Sequence, residues 1–133
     1  METDPQISVV VPFLDEEGSL EELHSRLSRV LESVGRSYEI LFIDDGSRDG
    51  SSEEIDRLAA EHVEVRGIHF ETNCGQTAAF DAGFKNARGA VVVTIDADLQ
   101  NDPRDIPALL EALEGHAAAI GFRCVSRSSS TRR

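Results

Sequence analysis

The chain has 133 residues, a formal net charge of −12 and 40% apolar residues. This composition predicts one globular domain with its own core and excludes a chain that is disordered by composition. The acidic balance argues against nucleic-acid binding, which needs concentrated Lys and Arg. Two cysteines are too few for a disulfide framework. We expect no signal peptide after the acidic N-terminus and no membrane span, and therefore a cytoplasmic protein.

Short β-branched runs alternate along the chain with amphipathic helical segments. Strands are predicted to begin near Ile7, Tyr38, Val65, Ala90 and Ala117. Helices are predicted over residues 16–34, 51–62, 75–88 and 104–114. This regular alternation is typical of βαβ units. It predicts an α/β fold with a Rossmann-like, doubly wound, mostly parallel sheet and helices on both faces.

Local patterns refine this prediction. Ser51 with Glu54 three residues later is typical of a capping box at a helix N-terminus. Phe80 and Phe84, four residues apart, should pack together on one helix face. We expect the domain to cover residues 1–123 and residues 124–133 to form a basic tail rich in Ser and Arg.

Acidic residues follow three of the predicted strands. Asp15 and its neighbours follow the first strand, Asp44 and Asp45 end the second, and Asp96 and Asp98 end the fourth. The carboxyl ends of parallel strands meet at one edge of the sheet, which is where ligands bind in such folds. The sequence therefore predicts a ligand site at this edge.

The segment IDADLQNDP carries the sharpest chemical signal. Asp96 and Asp98 stand two residues apart, so in an extended chain both carboxylates point the same way. Hard oxygen ligands of this kind suit Mg²⁺ or Mn²⁺, which can bridge a protein and a diphosphate. The alternative is a pair of acids that cap the next helix or are merely exposed. The loop DDGSRDG likewise predicts either a nucleoside contact or a simple turn.

Other chemistries find no support in the sequence. It contains no P-loop, no dinucleotide fingerprint and no nucleophile elbow. The histidines are scattered, and we expect each to be structural or exposed rather than a ligand. They are His24, His62, His69 and His116.

Four segments together resemble a known family. VVVPFLDEE, IDDGSRDG, NCGQTAAFDAG and VVVTIDADLQNDP, in this order, resemble family 2 glycosyltransferases of the GT-A fold. The similarity covers about residues 7–123 and is greatest to the polyprenyl-phosphate, dolichol-phosphate mannosyltransferase-like branch. It implies transfer of a sugar from a UDP- or GDP-sugar to a polyprenyl-phosphate lipid, assisted by Mg²⁺ or Mn²⁺. It also implies work at the cytoplasmic face of the membrane, in cell-envelope synthesis, and we expect homo-oligomer formation.

The resemblance also implies roles for particular residues. The nucleotide sugar would be bound by Pro12, Glu16, Asp44, Asp45, Gly75, Gln76 and Asp96. The metal would be held by Asp96, Asp98 and Gln100, and the catalytic residues would be Asp98 and Arg123, the latter facing a phosphate. Asp15 stands where the family usually has Asn.

Members of this branch continue well beyond the equivalent of the last residue here. We therefore expect the chain to correspond to the nucleotide-binding half of a longer transferase. Four alternatives stay open: a donor-binding module without catalytic activity, a glycosyltransferase with a saccharide acceptor, a nucleotidyltransferase or phosphatase using the same carboxylates, and an acidic α/β domain without a ligand.

Overall fold

A computed structural model describes residues 4–97, 102–113, 118–119 and 123–126, the last two ranges by their backbone alone. Its elements, in chain order, are β1 (Ile7–Phe13), α1 (Leu20–Val34), β2 (Tyr38–Asp44), α2 (Ser51–Glu61), β3 (Val65–His69), α3 (Gln76–Asn86), β4 (Val91–Thr94), a 3₁₀ turn (Pro103–Asp105), α4 (Ile106–Leu113), β5 (Ala118–Ala119) and β6 (Arg123–Ser126). None of the helices in these ranges has the length and apolarity needed to cross a bilayer.

The described strands form one sheet in the order β3-β2-β1-β4-β6-β5. The first four strands are parallel, which confirms the predicted α/β fold with a mostly parallel sheet. The strand predicted near Ala117 corresponds to β5, but its hydrogen-bonded neighbour is β6, which is antiparallel to both β4 and β5. The connection between β5 and β6 is too short for the crossover that parallel neighbours require.

The sheet continues past the predicted domain boundary at Arg123. β6 begins at that residue and extends to Ser126, so the first residues assigned to the basic tail lie in the sheet. The rest of the predicted tail lies outside the described residues.

Side chains on the two faces of the sheet pack under different helices. Along β1, Val9 and Val11 join the core formed with α1, α2 and α4, whereas Val10 joins the smaller core under α3. Gly83 brings α3 close to the sheet, because a Cβ there would stand 2.4 Å from Cγ1 of Val10. Helices thus cover both faces, as a doubly wound sheet requires.

The amphipathic segment predicted over residues 16–34 forms α1, and its leucines make an apolar stripe. Leu20, Leu23, Leu27 and Leu31 are fully buried at helical spacing. Burial of each such side chain stabilises the fold by roughly 1.5–3 kcal/mol. The helix ends at Gly35, whose φ of +82° is the left-handed conformation typical of a helix C-terminus.

The predicted capping box at Ser51 and Glu54 is wrong. Gly50 is the N-cap residue of α2, so the N-cap residue itself has no side chain that could make the cap hydrogen bond. Both side chains instead reach across to the segment that begins α1. The Ser51 Oγ accepts a hydrogen bond from Glu16 N at 2.9 Å. The Glu54 carboxylate accepts from Gly18 N at 3.2 Å and from Glu21 N at 3.1 Å. The N-terminus of α1 lies beside that of α2, at the carboxyl ends of the strands. The first N–H groups of a helix have no acceptor within the helix, so they can bind these side chains.

A buried carboxylate joins several elements near the amino ends of the strands. Glu39 of β2 is 4% exposed. It accepts hydrogen bonds from Ser8 Oγ at 2.6 Å, Arg66 Nη1 at 2.8 Å and Arg88 N at 2.7 Å. Burial acts to raise the pKa of Glu39, but these hydrogen bonds outweigh it and leave the pKa below its usual value. Glu39 therefore links β1, β3 and the turn before β4 as a charged group.

Candidate functional site

A cavity lies where the direction of the chain's crossovers reverses. β1 is flanked by β2 on one side and by β4 on the other, so the reversal falls between β1 and β4. At the carboxyl ends of these strands is a cavity of about 400 Å³. It is lined by Pro12, Phe13, Leu14, Glu16, Asp45, Gln76, Ala79, Asp96 and Ala97.

Five of the predicted site residues lie together in this lining. They are Pro12, Glu16, Asp45, Gln76 and Asp96. They come from four separate segments: the end of β1, the end of β2, the start of α3 and the end of β4. The fold therefore assembles side chains that are distant in sequence.

The other predicted site residues are placed differently. Gly75 is the N-cap residue of α3, next to the cavity, with a φ of +99°. Arg123 is the first residue of β6 and pairs with Thr94, so its backbone lies near the end of β4. Asp98 and Gln100 lie outside the described residues.

Asp45 both lines the cavity and fixes the start of α3. The residue as a whole is 6% exposed. Oδ1 accepts hydrogen bonds from Cys74 N at 2.7 Å and Gly75 N at 3.2 Å, and Oδ2 accepts from Gly75 N at 3.1 Å. An acid at this position also interacts favourably with the positive end of the helix dipole. A carboxylate has about four acceptor sites, so Asp45 keeps capacity for a ligand N–H or O–H group.

Asp44 does not line the cavity. It is 1% exposed and accepts hydrogen bonds from Ser47 N at 2.8 Å, from the Ser52 hydroxyl and from His69 Nδ1 at 2.8 Å. Burial acts to raise the pKa of Asp44, but the hydrogen bonds from Ser52, His69 and Ser47 outweigh it and leave the pKa below its usual value. In this structure Asp44 holds the β2–α2 loop behind the cavity.

His69 is the partner of Asp44 that sequence reasoning left without a specific role. At the end of β3, its Nδ1 lies 2.8 Å from Asp44 Oδ2 and its Nε2 lies 2.8 Å from Asp56 Oδ1. Burial acts to lower the pKa of His69, but the two carboxylates outweigh it and raise the pKa. The sequence signal that could have pointed to His69 was its predicted position at the end of a strand, where the acidic clusters also lie.

These contacts predict a pH-dependent stability. The raised pKa of His69 means that its charged form stabilises the fold fully below the ordinary His pKa of about 6.5. This contribution is lost as the pH rises through the higher pKa of the folded state. We therefore expect His69→Gln to be destabilising at about pH 6 and for the difference from the native chain to shrink at higher pH.

Urea unfolding of both chains checks this prediction. The titration stays above about pH 5, where Asp44, with its lowered pKa, keeps its charge. A difference in the free energy of unfolding that is the same at every pH would contradict the assigned ion pairs.

The loops after β1 and β2 are joined by hydrogen bonds in both directions. Asp15 N donates to Ser47 Oγ at 2.9 Å, and Arg48 N donates to Asp15 Oδ1 at 2.8 Å. Gly50 N donates to Glu17 Oε1 at 3.0 Å. Asp15 has a φ of +53°, a conformation that Asp and Asn tolerate better than other side chains. Asp15 thus supplies both the left-handed backbone conformation and the acceptor that join the two loops.

Three acidic residues line the cavity, namely Glu16, Asp45 and Asp96. Mg²⁺ and Mn²⁺ prefer oxygen ligands, but the ligand atoms of these three side chains do not all lie within 4.8 Å of one another. Asp96 is the predicted metal ligand that falls within the described residues, and it is exposed on the cavity wall.

Solved structures identify the class of fold. The chain is similar to a mannosyltransferase from Pyrobaculum calidifontis, solved with GDP-Man and Mn²⁺, with a TM-score of 0.71 and 24% identity over 84% of this chain and 33% of that one. It is also similar to glucosyl-3-phosphoglycerate synthase from Mycobacterium tuberculosis, solved with Mn²⁺, UDP and phosphoglyceric acid. That match has a TM-score of 0.66 and 27% identity, over 86% of this chain and 40% of that one. The fold is that of the GT-A glycosyltransferases.

Sequence comparison identifies the family. The model of glycosyl transferase family 2 matches residues 8–133, and the chain belongs to this family. It is 48% identical to undecaprenyl-phosphate 4-deoxy-4-formamido-L-arabinose transferase from Aeromonas hydrophila, over 93% of this chain and 38% of that protein. For the protein of the same name from Shewanella sediminis the identity is 44%, over 96% and 39%. The chain thus spans about two fifths of the length of these relatives. The predicted family is confirmed.

Proposed function

We propose that this chain is the donor-binding part of a glycosyltransferase that moves a sugar from a nucleotide diphosphate sugar to a polyprenyl-phosphate lipid. The observation that carries the proposal is the cavity at the crossover reversal, where five predicted donor-site residues meet. The names of the relatives support the lipid acceptor. The nucleotides and Mn²⁺ in the similar solved structures support the donor and the metal. The acceptor would be met at the cytoplasmic face of the membrane, and homo-oligomer formation stays a prediction.

The proposed roles divide the cavity into two parts. Glu16, Asp45 and Gln76, beside Pro12, would orient the nucleoside through hydrogen bonds. Asp44 would act indirectly, because its contacts fix the β2–α2 loop that carries Asp45. Gly75 would let the backbone at the start of α3 approach the donor.

The remaining roles concern the diphosphate. Asp96, Asp98 and Gln100 would hold Mg²⁺ or Mn²⁺. The ion, when bound, supplies a Lewis acid that neutralises charge on the departing diphosphate. Asp98 and Arg123 would complete the catalytic set, with Arg123 as a phosphate contact. A phosphate acceptor, with a second pKa of about 6, is already ionised at neutral pH and needs little help from a general base.

Ligand-dependent stability tests the donor site. We expect UDP or GDP, with Mn²⁺, to stabilise the native chain by about 2.7 kcal/mol at a hundred times the dissociation constant. Asp96→Asn removes a charged oxygen ligand from the cavity and should abolish the part of this gain that depends on Mn²⁺. Thermal unfolding with each nucleotide, with and without the metal, gives the measurement and identifies the base.

Asp81→Asn is the matched control. Asp81 is an exposed acid on α3 that forms an ion pair with Lys85 at 3.1 Å, and it does not line the cavity. Its variant should respond to nucleotide and metal like the native chain. Nucleotide binding by Asp96→Asn that keeps its full Mn²⁺ dependence would overturn the assignment, as would the absence of any nucleotide effect on the folded native chain.

A further inference from the structure

A second cluster of metal-ligating side chains lies away from the cavity. It consists of His24 on α1, His62 at the C-terminal end of α2 and Glu64 immediately before β3. The backbone oxygen of Glu64 accepts a hydrogen bond from Ile40 N at 2.9 Å, which places Glu64 beside the first residues of β2 and β3. The cluster is therefore near the amino ends of these strands, whereas the donor cavity lies at carboxyl ends.

The three side chains converge on a small volume. Nε2 of His24 lies 3.1 Å from Oε2 of Glu64, and Nδ1 of His62 lies 3.9 Å from the same oxygen. The three ligand atoms all lie within 4.8 Å of one another. The side chains of His24 and Glu64 are 6% and 21% exposed, and that of His62 is 39% exposed. The cluster is thus enclosed on the side of α1 and open to solvent at His62.

We propose that His24, His62 and Glu64 bind Zn²⁺. Two imidazole nitrogens and one carboxylate oxygen form the ligand set of a three-ligand zinc site, whose fourth position takes water. With metal–ligand bonds of about 2.0–2.2 Å, tetrahedral ligands stand roughly 3.3 Å apart. The His24–Glu64 separation already matches this value, and the 3.9 Å between His62 Nδ1 and Glu64 Oε2 must shorten to it when the ion binds.

On binding, the ion would replace existing hydrogen bonds in the cluster by stronger metal–ligand bonds. Nε2 of His24 lies within hydrogen-bond distance of both Glu64 and Ser28 Oγ, the latter at 3.2 Å, and these contacts hold the ring near its ligating orientation. Zn²⁺ bound here joins α1 to the connection between α2 and β3, so it should stabilise the folded chain. The ligand set also separates this site from the cavity, because imidazole suits Zn²⁺ whereas carboxylate oxygens suit Mg²⁺ and Mn²⁺.

Zinc titration of the chain tests the proposal. Calorimetry and thermal unfolding are carried out in excess Mg²⁺, which occupies oxygen-ligand sites. We expect one Zn²⁺ per chain and a higher Tm with the ion, and a four-coordinate visible spectrum when Co²⁺ replaces it. His62→Ala and Glu64→Gln each remove a ligand from the solvent side of the cluster. Each should weaken Zn²⁺ binding by at least about tenfold. That is the low end of the loss seen when a residue that only hydrogen-bonds a metal ligand is replaced.

Two control variants make the test specific. Glu61→Gln removes the same charge as Glu64→Gln from an exposed position three residues away and should leave Zn²⁺ affinity unchanged. Asp96→Asn should also leave it unchanged, so the result is independent of the proposed donor site. Native affinity in both His62→Ala and Glu64→Gln would overturn the proposal, as would an equal loss in Glu61→Gln. Circular dichroism confirms that each variant is folded.

Discussion

Glu39→Ala is expected to lower the free energy of unfolding by about 3 kcal/mol, the lower end of the cost of breaking a buried ion pair. The lower end applies because the charged partners of Glu39, Arg66 and Arg88, have side chains that are 32% and 47% exposed. The substitution leaves the Ser8 hydroxyl and the Arg88 N–H without their acceptor. It also releases the end of α3, since Arg66 donates to Asn86 O at 3.1 Å while it is held by Glu39. Urea unfolding at neutral pH gives the measurement.

Glu71→Ala is the control for this variant. Glu71 is exposed, and its replacement should change the stability by no more than about 0.5 kcal/mol. The effect of Glu39 also has a defined pH dependence. Its pKa is lowered, so its charged form stabilises the fold above the ordinary Glu pKa of about 4.3, and this contribution is lost as the pH falls through the folded pKa. If Glu39→Ala proves as stable as Glu71→Ala at neutral pH, the assigned role of Glu39 is wrong.

Gly46→Ala is expected to abolish nucleotide binding and to destabilise the chain. Gly46 has a φ of +84°, where a side chain costs about 1–3 kcal/mol. A Cβ there would also lie 2.6 Å from Thr72 C and 2.7 Å from Asn73 N. These are backbone atoms, so the segment that leads to Cys74 and Gly75 must move. Asp45 is bonded to the N–H groups of both residues, and its place in the cavity wall depends on them.

Gly35→Ala separates the two causes. Gly35 has a φ of +82°, almost the same as Gly46, but a Cβ there meets no atom within 4 Å. Both variants carry the cost of the left-handed backbone, and the excess loss in Gly46→Ala measures the displaced segment. We expect Gly35→Ala to bind nucleotide like the native chain, as measured by calorimetry with Mn²⁺. Equal stability and equal nucleotide binding in the two variants would show that the contact between residues 46 and 72–73 has no role.

Local patterns were sufficient for most of the architecture. The burial of the α1 leucines could be predicted from their spacing, because the helical period puts them on one face. Phe80 and Phe84 do stack, with ring centroids 6.5 Å apart. The grouping of Glu16, Asp45 and Asp96 came from one rule, that parallel strands end at the same edge.

The features that sequence reasoning missed depend on partners far away in the chain. Glu54 matched a local cap, but its carboxylate oxygens serve the start of α1, more than thirty residues earlier. Glu39 lies within an apolar run, and nothing near it in sequence indicates Ser8 or Arg88 as partners. Asp44 and Asp45 are adjacent and looked equivalent, yet one lies behind the cavity and the other in its wall. Such assignments need the sheet register, which composition and spacing do not supply.

Because of the hydrogen bonds between them, the β1–α1 and β2–α2 loops are expected to change together among related proteins. Each loop supplies side-chain acceptors for the backbone of the other: Asp15 for Arg48, and Ser47 for Asp15. A single loop grafted from a relative would therefore carry backbone N–H groups whose side-chain acceptors lie in the other loop of that relative. Replacing the part of the cavity wall that follows β1 and β2 is therefore expected to require exchange of both segments together.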